Sequence, residues 1–178
     1  DLQVEQIRDI LGDNVLANED IPPEKILTNL LQEKGLTIST AESCTGGTID
    51  SYLAKNPGSS TFYIGSVVAY CNEVKHAILG VEQEVLDTVG AVSQQTVEQM
   101  AKGVRRLLKT DIGISVSGIA GPGGGTKDKP VGTVWIAVAD ADRVVARKLQ
   151  LGNLREKNIE KATVEAIFLA KEFVENKK

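Results

Sequence analysis

The chain has 178 residues and a mass of 19.0 kDa, a length that fits one ordinary domain able to bury its own core. Apolar residues make up 42% and charged residues 25%, proportions that exclude a disordered chain or a long coiled coil. A formal net charge of −4 and a pI of about 5.1 argue against binding nucleic acid through a basic surface, and two cysteines with one histidine exclude a disulfide framework and a Cys/His zinc site.

The elements follow in chain order. Val4, Ile7 and Leu11 give residues 2–11 a helical rhythm, and a short strand is expected at Val15–Ala17. Pro22 and Pro23 open a helix whose apolar stripe is Ile26, Leu27, Leu30 and Leu31, closed by Gly35. Residues 36–40 read as a buried strand, followed by a helix over 44–56, a strand over 62–70 and helices near 73–89. The clearest helix is 93–110, with Ser93 as its N-cap and Val97, Met100, Ala101, Val104, Leu107 and Leu108 on one face. A strand over 111–117, a glycine-rich loop over 118–130, strands over 131–139 and 143–150 and a helix over 155–175 complete the chain. This alternation predicts an α/β fold, a three-layer α/β/α sandwich. The adjacent strands around Asp140–Asp142 predict an antiparallel hairpin and so a mixed sheet. No apolar run approaches the ~20 residues of a membrane span, and no signal pattern opens the chain. The expectation is a cytoplasmic protein without membrane or nucleic-acid partners.

Three segments carry polar residues at strand ends, where open α/β sheets bind ligands. In Thr40-Ala-Glu-Ser-Cys-Thr-Gly-Gly47 a helix expected to start near Ser43 would aim unpaired N–H groups at an anion. Gly46 and Gly47 would weaken that helix, so a ligand or strand approaching closely is expected to need their missing side chains. Ser43 reads equally as a plain N-cap. In the second segment Tyr70 closes a strand, Asn72 is placed to cap the next helix, and Lys75 lies in the first turn. A cation is unhelpful there, and a partly desolvated lysine has its pKa pushed down toward general-base range; a solvated surface lysine is the plainer alternative. The third, Ser117–Thr126, is neither a Walker loop nor a dinucleotide fingerprint, yet its glycines suit a pocket wall. His76 points away from Lys75 and reads as an ordinary helix residue. Cys44 ranks below Ser43 as a nucleophile, since a thiolate needs an electropositive partner. Arg155, at the start of the last helix, suits a ligand anion as well as solvent.

TAESCTGG (40–47), PGSS (57–60), YCNEVK (70–75), GAVS (90–93), SGIAGPGGG (117–125) and KPVGTVWIA (129–137), in that order, resemble the C-terminal domain of the CinA family of competence/damage-inducible proteins. The resemblance implies a three-layer α/β/α sandwich similar to anticodon-binding-like domains. It also implies nicotinamide-nucleotide amidase activity, in which nicotinamide mononucleotide and water give nicotinic acid mononucleotide and ammonia. It implies Ser43, Lys75 and Tyr70 as the catalytic set, with no cofactor and no metal. Substrate contacts are expected from Thr45, Gly46, Gly47, Ser59, Ser60, Asn72, Gly118, Gly121 and Arg155, the N–H groups near Thr45 and Gly46 holding an oxyanion. The family's Gly-Asp-Arg appears here as Gly152-Asn-Leu-Arg155, one residue longer. Residues 1–22 resemble the segment that follows an upstream domain in two-domain CinA proteins, which leaves 23–178 as the amidase domain. The alternative function is a non-catalytic pyridine-nucleotide-binding domain, and a Cys44-dependent hydrolase is a further rival. A homodimer is also expected.

Overall fold

The computed structural model describes residues 21–176. The helix and strand expected within residues 1–20 lie outside the described residues. Helix α1 runs from Pro23 to Lys34 and ends on Gly35 in the left-handed conformation, as its prolines and glycine require. Strand β1 (Ile38–Glu42) leads to α2 (Thr48–Ala54), then β2 (Tyr63–Val68), α3 (Asn72–Ala77), α4 (Gln83–Thr88) and α5 (Gln94–Leu108). Strands β3 (Ile112–Gly118), β4 (Thr133–Ala139) and β5 (Val144–Gln150) follow, and α6 (Arg155–Glu175) closes the fold.

The sheet has the order β2-β1-β3-β4-β5. β1 pairs in parallel with β2 and β3, while β3, β4 and β5 pair antiparallel. The expected mixed sheet and hairpin are both present. Alternation along the central strands sorts the layers. Ile112, Ile114 and Val116 of β3 pack with Leu27 and Leu31 of α1, Ile49 and Leu53 of α2, and Ala166, Ile167 and Ala170 of α6. The opposite face is covered by α5, whose Met100 and Val104 pack with Ala41, Leu79 and Leu86, and whose Val97 and Ala101 meet Ala137 and Ala139 of β4. Ser93 caps α5 by accepting from the Thr96 N–H at 3.2 Å. Gly113 lets α5 lie directly on β3, since a side chain there would collide with the Ala101 carbonyl. No helix among the described residues is long and apolar enough to cross a membrane.

One element departs from expectation in a way that shapes the site. The helix expected over 44–56 begins only at Thr48. Residues 43–47 form a bend and turns instead, with Gly46 at φ +60° and Gly47 at φ +101°. Left-handed backbone ends any helix reading there, and it is the conformation glycine adopts without steric cost.

Candidate active site

The parallel strands β1 and β2 and the neighbouring β3 end side by side, and a cleft of about 210 Å³ opens beyond them. Its walls include Ser43, Tyr70, Asn72, Lys75, Ser117, Gly118 and Arg155. Segments distant in sequence meet there because β1, β2 and β3 run parallel and so end at the same end of the sheet.

Lys75 is the fourth residue of α3, and its side chain is only 1% exposed. Its Nζ lies 2.8 Å from the Ala69 carbonyl, 3.2 Å from the Tyr70 carbonyl and 3.1 Å from Ser43 Oγ. No carboxylate pairs with it among the described residues. Burial pushes its pKa below the ordinary lysine value. Nζ donates to both carbonyls and to the Ser43 hydroxyl oxygen; loss of one proton keeps the two carbonyl bonds and turns the lone pair to the Ser43 hydroxyl. Ser43 itself is buried, and its N–H donates to Val116 O of β3, which ties the serine to the neighbouring strand.

Behind Ser43 lies a group the sequence reading passed over. Glu42, the last residue of β1, is fully buried. Its carboxylate accepts from the N–H groups of Gly47 (3.0 Å), Ile49 (3.1 Å) and Asp50 (2.7 Å), and from the Thr45 hydroxyl (2.6 Å). The start of α2 is therefore filled by an internal anion and does not face the cleft. This corrects the expectation that a helix N-terminus near Ser43 receives a ligand anion. The signal was present in the sequence: an acidic residue closing an apolar strand just before a helix has few other ways to be buried.

The loop residues expected to touch substrate divide accordingly. Thr45 turns its hydroxyl to Glu42, Gly47 donates there as well, and the Gly46 N–H donates to the Ser43 carbonyl at 3.1 Å. The Thr45 N–H meets no acceptor among the described residues. Gly46 has open space where a side chain would stand, so its backbone angle, not a close approach, asks for glycine. Asn72 is the first residue of α3 with Cys71 as the N-cap position, so it does not cap the helix; it lines the cleft instead. Gly118 lies on the wall and packs on Val134, while Gly121 lies behind it and would collide with Val131 if it carried a side chain. Ser59 and Ser60 stand in a 3-10 turn before β2, at the far end of that strand from Tyr70, and line no part of the cleft.

Arg155 spans the opening. Its Nη1 donates to Gly121 O at 2.8 Å and its Nη2 to Tyr70 Oη at 3.1 Å. The extra residue before Arg155 leaves it at the first position of α6 with its guanidinium on the cleft wall. The walls hold the Arg155 guanidinium and no carboxylate, a balance that favours an anionic ligand. Burial pushes the Cys44 thiol up to about 12. It stays protonated near neutral pH, and this removes the support for the thiol-dependent rival. His76 Nδ1 lies 2.7 Å from Val81 O and takes no part in the walls. Among the described residues no group of three or more His, Cys, Asp or Glu is placed to hold a metal.

The model of the CinA C-terminal domain matches residues 21–174. The chain belongs to the CinA C-terminal domain family. It is 54% identical over 136 residues to a CinA-like protein of Cytophaga hutchinsonii, covering 76% of this chain and 32% of that protein. It is 44% identical over 162 residues to a CinA-like protein of Kosmotoga olearia, covering 91% of this chain and 39% of that one. The chain thus spans well under half the length of these relatives. Among solved structures, the competence damage-inducible protein A of Klebsiella pneumoniae superposes with a TM-score of 0.84 at 31% identity, over 89% of this chain and 100% of that one. The competence/damage inducible protein of Agrobacterium tumefaciens gives 0.79 at 36% identity, over 85% and 96%. The CinA fold is therefore shared with proteins of this domain's own size.

Proposed function

We propose that this CinA domain is an amidohydrolase that converts nicotinamide mononucleotide and water to nicotinic acid mononucleotide and ammonia. The observation that carries the reading is the buried contact of Lys75 Nζ with Ser43 Oγ at 3.1 Å, in a cleft whose walls hold no carboxylate.

In this reading neutral Lys75 takes the Ser43 proton as Oγ attacks the carboxamide carbon. The Cys44 and Thr45 N–H groups are the loop donors left over for the oxyanion, because those of Gly46 and Gly47 are already engaged. Protonated Lys75, with Tyr70 at the cleft mouth, returns the proton to the amide nitrogen, and ammonia leaves. Water then hydrolyses the acyl-serine by the reverse proton path. Arg155 supplies a fixed cation for the substrate phosphate. The site's residues ask for no metal and no cofactor.

The test is ammonia release from purified protein incubated with nicotinamide mononucleotide, with and without chelator, beside the Ser43→Ala variant. Turnover that survives the chelator and vanishes in Ser43→Ala supports the reading. Absence of turnover together with tight binding of the nucleotide would return the domain to the non-catalytic alternative.

A further inference from the structure

On the face of the sheet that α5 covers, Val97 and Ala101 rest on Ala137 and Ala139 of β4. Trp135, two residues earlier on the same face of that strand, lies only partly beneath the helix. It lines a groove of about 460 Å³ between the turn into α5 and the start of β4. The groove exceeds the 210 Å³ cleft and falls within the ~300–1,000 Å³ usual for small-molecule sites. Val92 is the one residue that borders both cavities. Lys148 is the register partner of Trp135 on β5, so the two side chains rise side by side from one face. Lys129 reaches the groove from the glycine-rich loop, and its Nζ donates to Val89 O at 2.6 Å. Neither lysine has a carboxylate partner among the described residues, whereas Arg147, on the other face of β5, is paired with Glu172. The exposed Asp128 and Gln95 stand on the rim. The Trp135 indole N–H donates to no described group, although a buried indole usually finds an acceptor.

From these observations we propose that the groove is a second ligand site, separate from the cleft, and that it takes a nucleoside monophosphate. The base stacks on the open part of the Trp135 ring, the phosphate lies between Lys129 and Lys148, and Asp128 accepts from a ribose hydroxyl. Each part of the ligand answers a feature of the groove. A flat aromatic side chain with one face free suits a flat ring, and every nucleobase offers one. Two lysines without ion-pair partners, on a molecule of net charge −4, make a local positive field against the overall charge. An ammonium has three donors, and Lys129 spends one on Val89 O, which fixes its position and leaves the others for phosphate oxygens. A carboxylate beside two cations disfavours a bare polyanion and suits a ligand that joins an anion to hydroxyl donors. The Gln95 amide, bonded to no described group, can meet the polar edge of the base.

The site needs no turnover, so it stands or falls apart from the amidase reading. Trp135 is the single tryptophan of the chain, and its fluorescence therefore reports on the groove. Adenosine monophosphate, added to the purified protein with excitation beyond the adenine absorption band, should quench that emission saturably, and calorimetry should give one such site per chain. Lys148→Met, at an exposed position, should fold as wild type by circular dichroism and weaken the nucleotide about tenfold, the loss of one charge-assisted contact. Arg155→Ala, which alters the cleft, should leave the quench and its midpoint unchanged. Adenosine without phosphate should bind at least tenfold more weakly than the nucleotide, and added salt should weaken the nucleotide further. The absence of saturable quenching at millimolar nucleotide overturns the site. So does an affinity that survives in Lys148→Met and is lost in Arg155→Ala, since that result puts the nucleotide in the cleft. Equal affinity for adenosine and its monophosphate overturns the assignment of the lysines to a phosphate and the proposal with it.

Discussion

The two glycine-bearing loops of the cleft reach order by different means. Residues 43–47 are organised from within: Glu42 gathers the Thr45 hydroxyl and three N–H groups around one buried carboxylate. Residues 119–132 are organised from outside. Arg155 and Asn158 of α6 hold the Gly121 and Ala120 carbonyls at 2.8 and 2.9 Å, and short bonds between Ile119, Gly132 and Thr133 close the base. The first loop carries the candidate nucleophile and needs a defined geometry in every molecule. The second forms a wall, and its tether, Arg155, is also the cation on the cleft. A ligand anion that draws Arg155 away would loosen the second loop and leave the first untouched.

The largest effects should come from Ser43 of the first loop and from Lys75, which it meets. Ser43→Ala and Lys75→Arg should each lower kcat by about 10³-fold or more while leaving the fold intact, because alanine offers no nucleophile and arginine does not deprotonate. Single-turnover rates beside thermal melts check this; an active Lys75→Arg would break the Ser–Lys assignment. The wild-type rate should rise with pH through an apparent pKa below that of free lysine, since burial favours the neutral amine. The same depressed value has a consequence for stability. Between the folded and the unfolded lysine pKa, about 10.4 for the latter, the unfolded chain binds more protons. Wild type should therefore gain stability relative to Lys75→Met as pH rises through that window, as urea unfolding at several pH values would measure. A flat difference would place Lys75 in water.

Next in size is Glu42. Glu42→Ala strands several buried donors at once and should cost about 3 kcal/mol or more in urea unfolding, while Glu42→Gln, which keeps one acceptor oxygen, should cost about 1–2 kcal/mol. Asn158→Ala, which removes a tether of the second loop, should cost less than Glu42→Ala, about 1–2 kcal/mol, and should leave the Ser43 chemistry in place. Equal losses of kcat in the two variants would erase the distinction between the loops.

The smallest pair concerns two glycines. Gly46 has φ +60° and open space beside it, so Gly46→Ala should cost about 1 kcal/mol, the strain of left-handed backbone alone. Gly121 has φ +92° and would in addition press on Val131 Cγ1 at 2.6 Å, so Gly121→Ala should cost visibly more. Melting temperatures of the two variants decide it.

What the sequence determined by itself was periodic or local. The α5 stripe, the Ser93 cap, the Pro22-Pro23 opening, the hairpin at 140–142 and the mixed α/β order all follow from rules that act within a few residues, and all are present. The motif order was also enough to name the family. Tertiary structure decided what depends on distance. That Lys75 meets Ser43 needs β1 and β2 side by side. That the start of α2 is filled needs Glu42 turned inward by the end of β1. That Ser59 and Ser60 lie away from the cleft follows from the length of β2, which separates two segments adjacent in the chain by the full span of a strand. Local sequence specifies backbone angles and faces. Only the packed sheet specifies which ends coincide, because hydrogen-bond register and side-chain packing, absent from any single segment, set those positions.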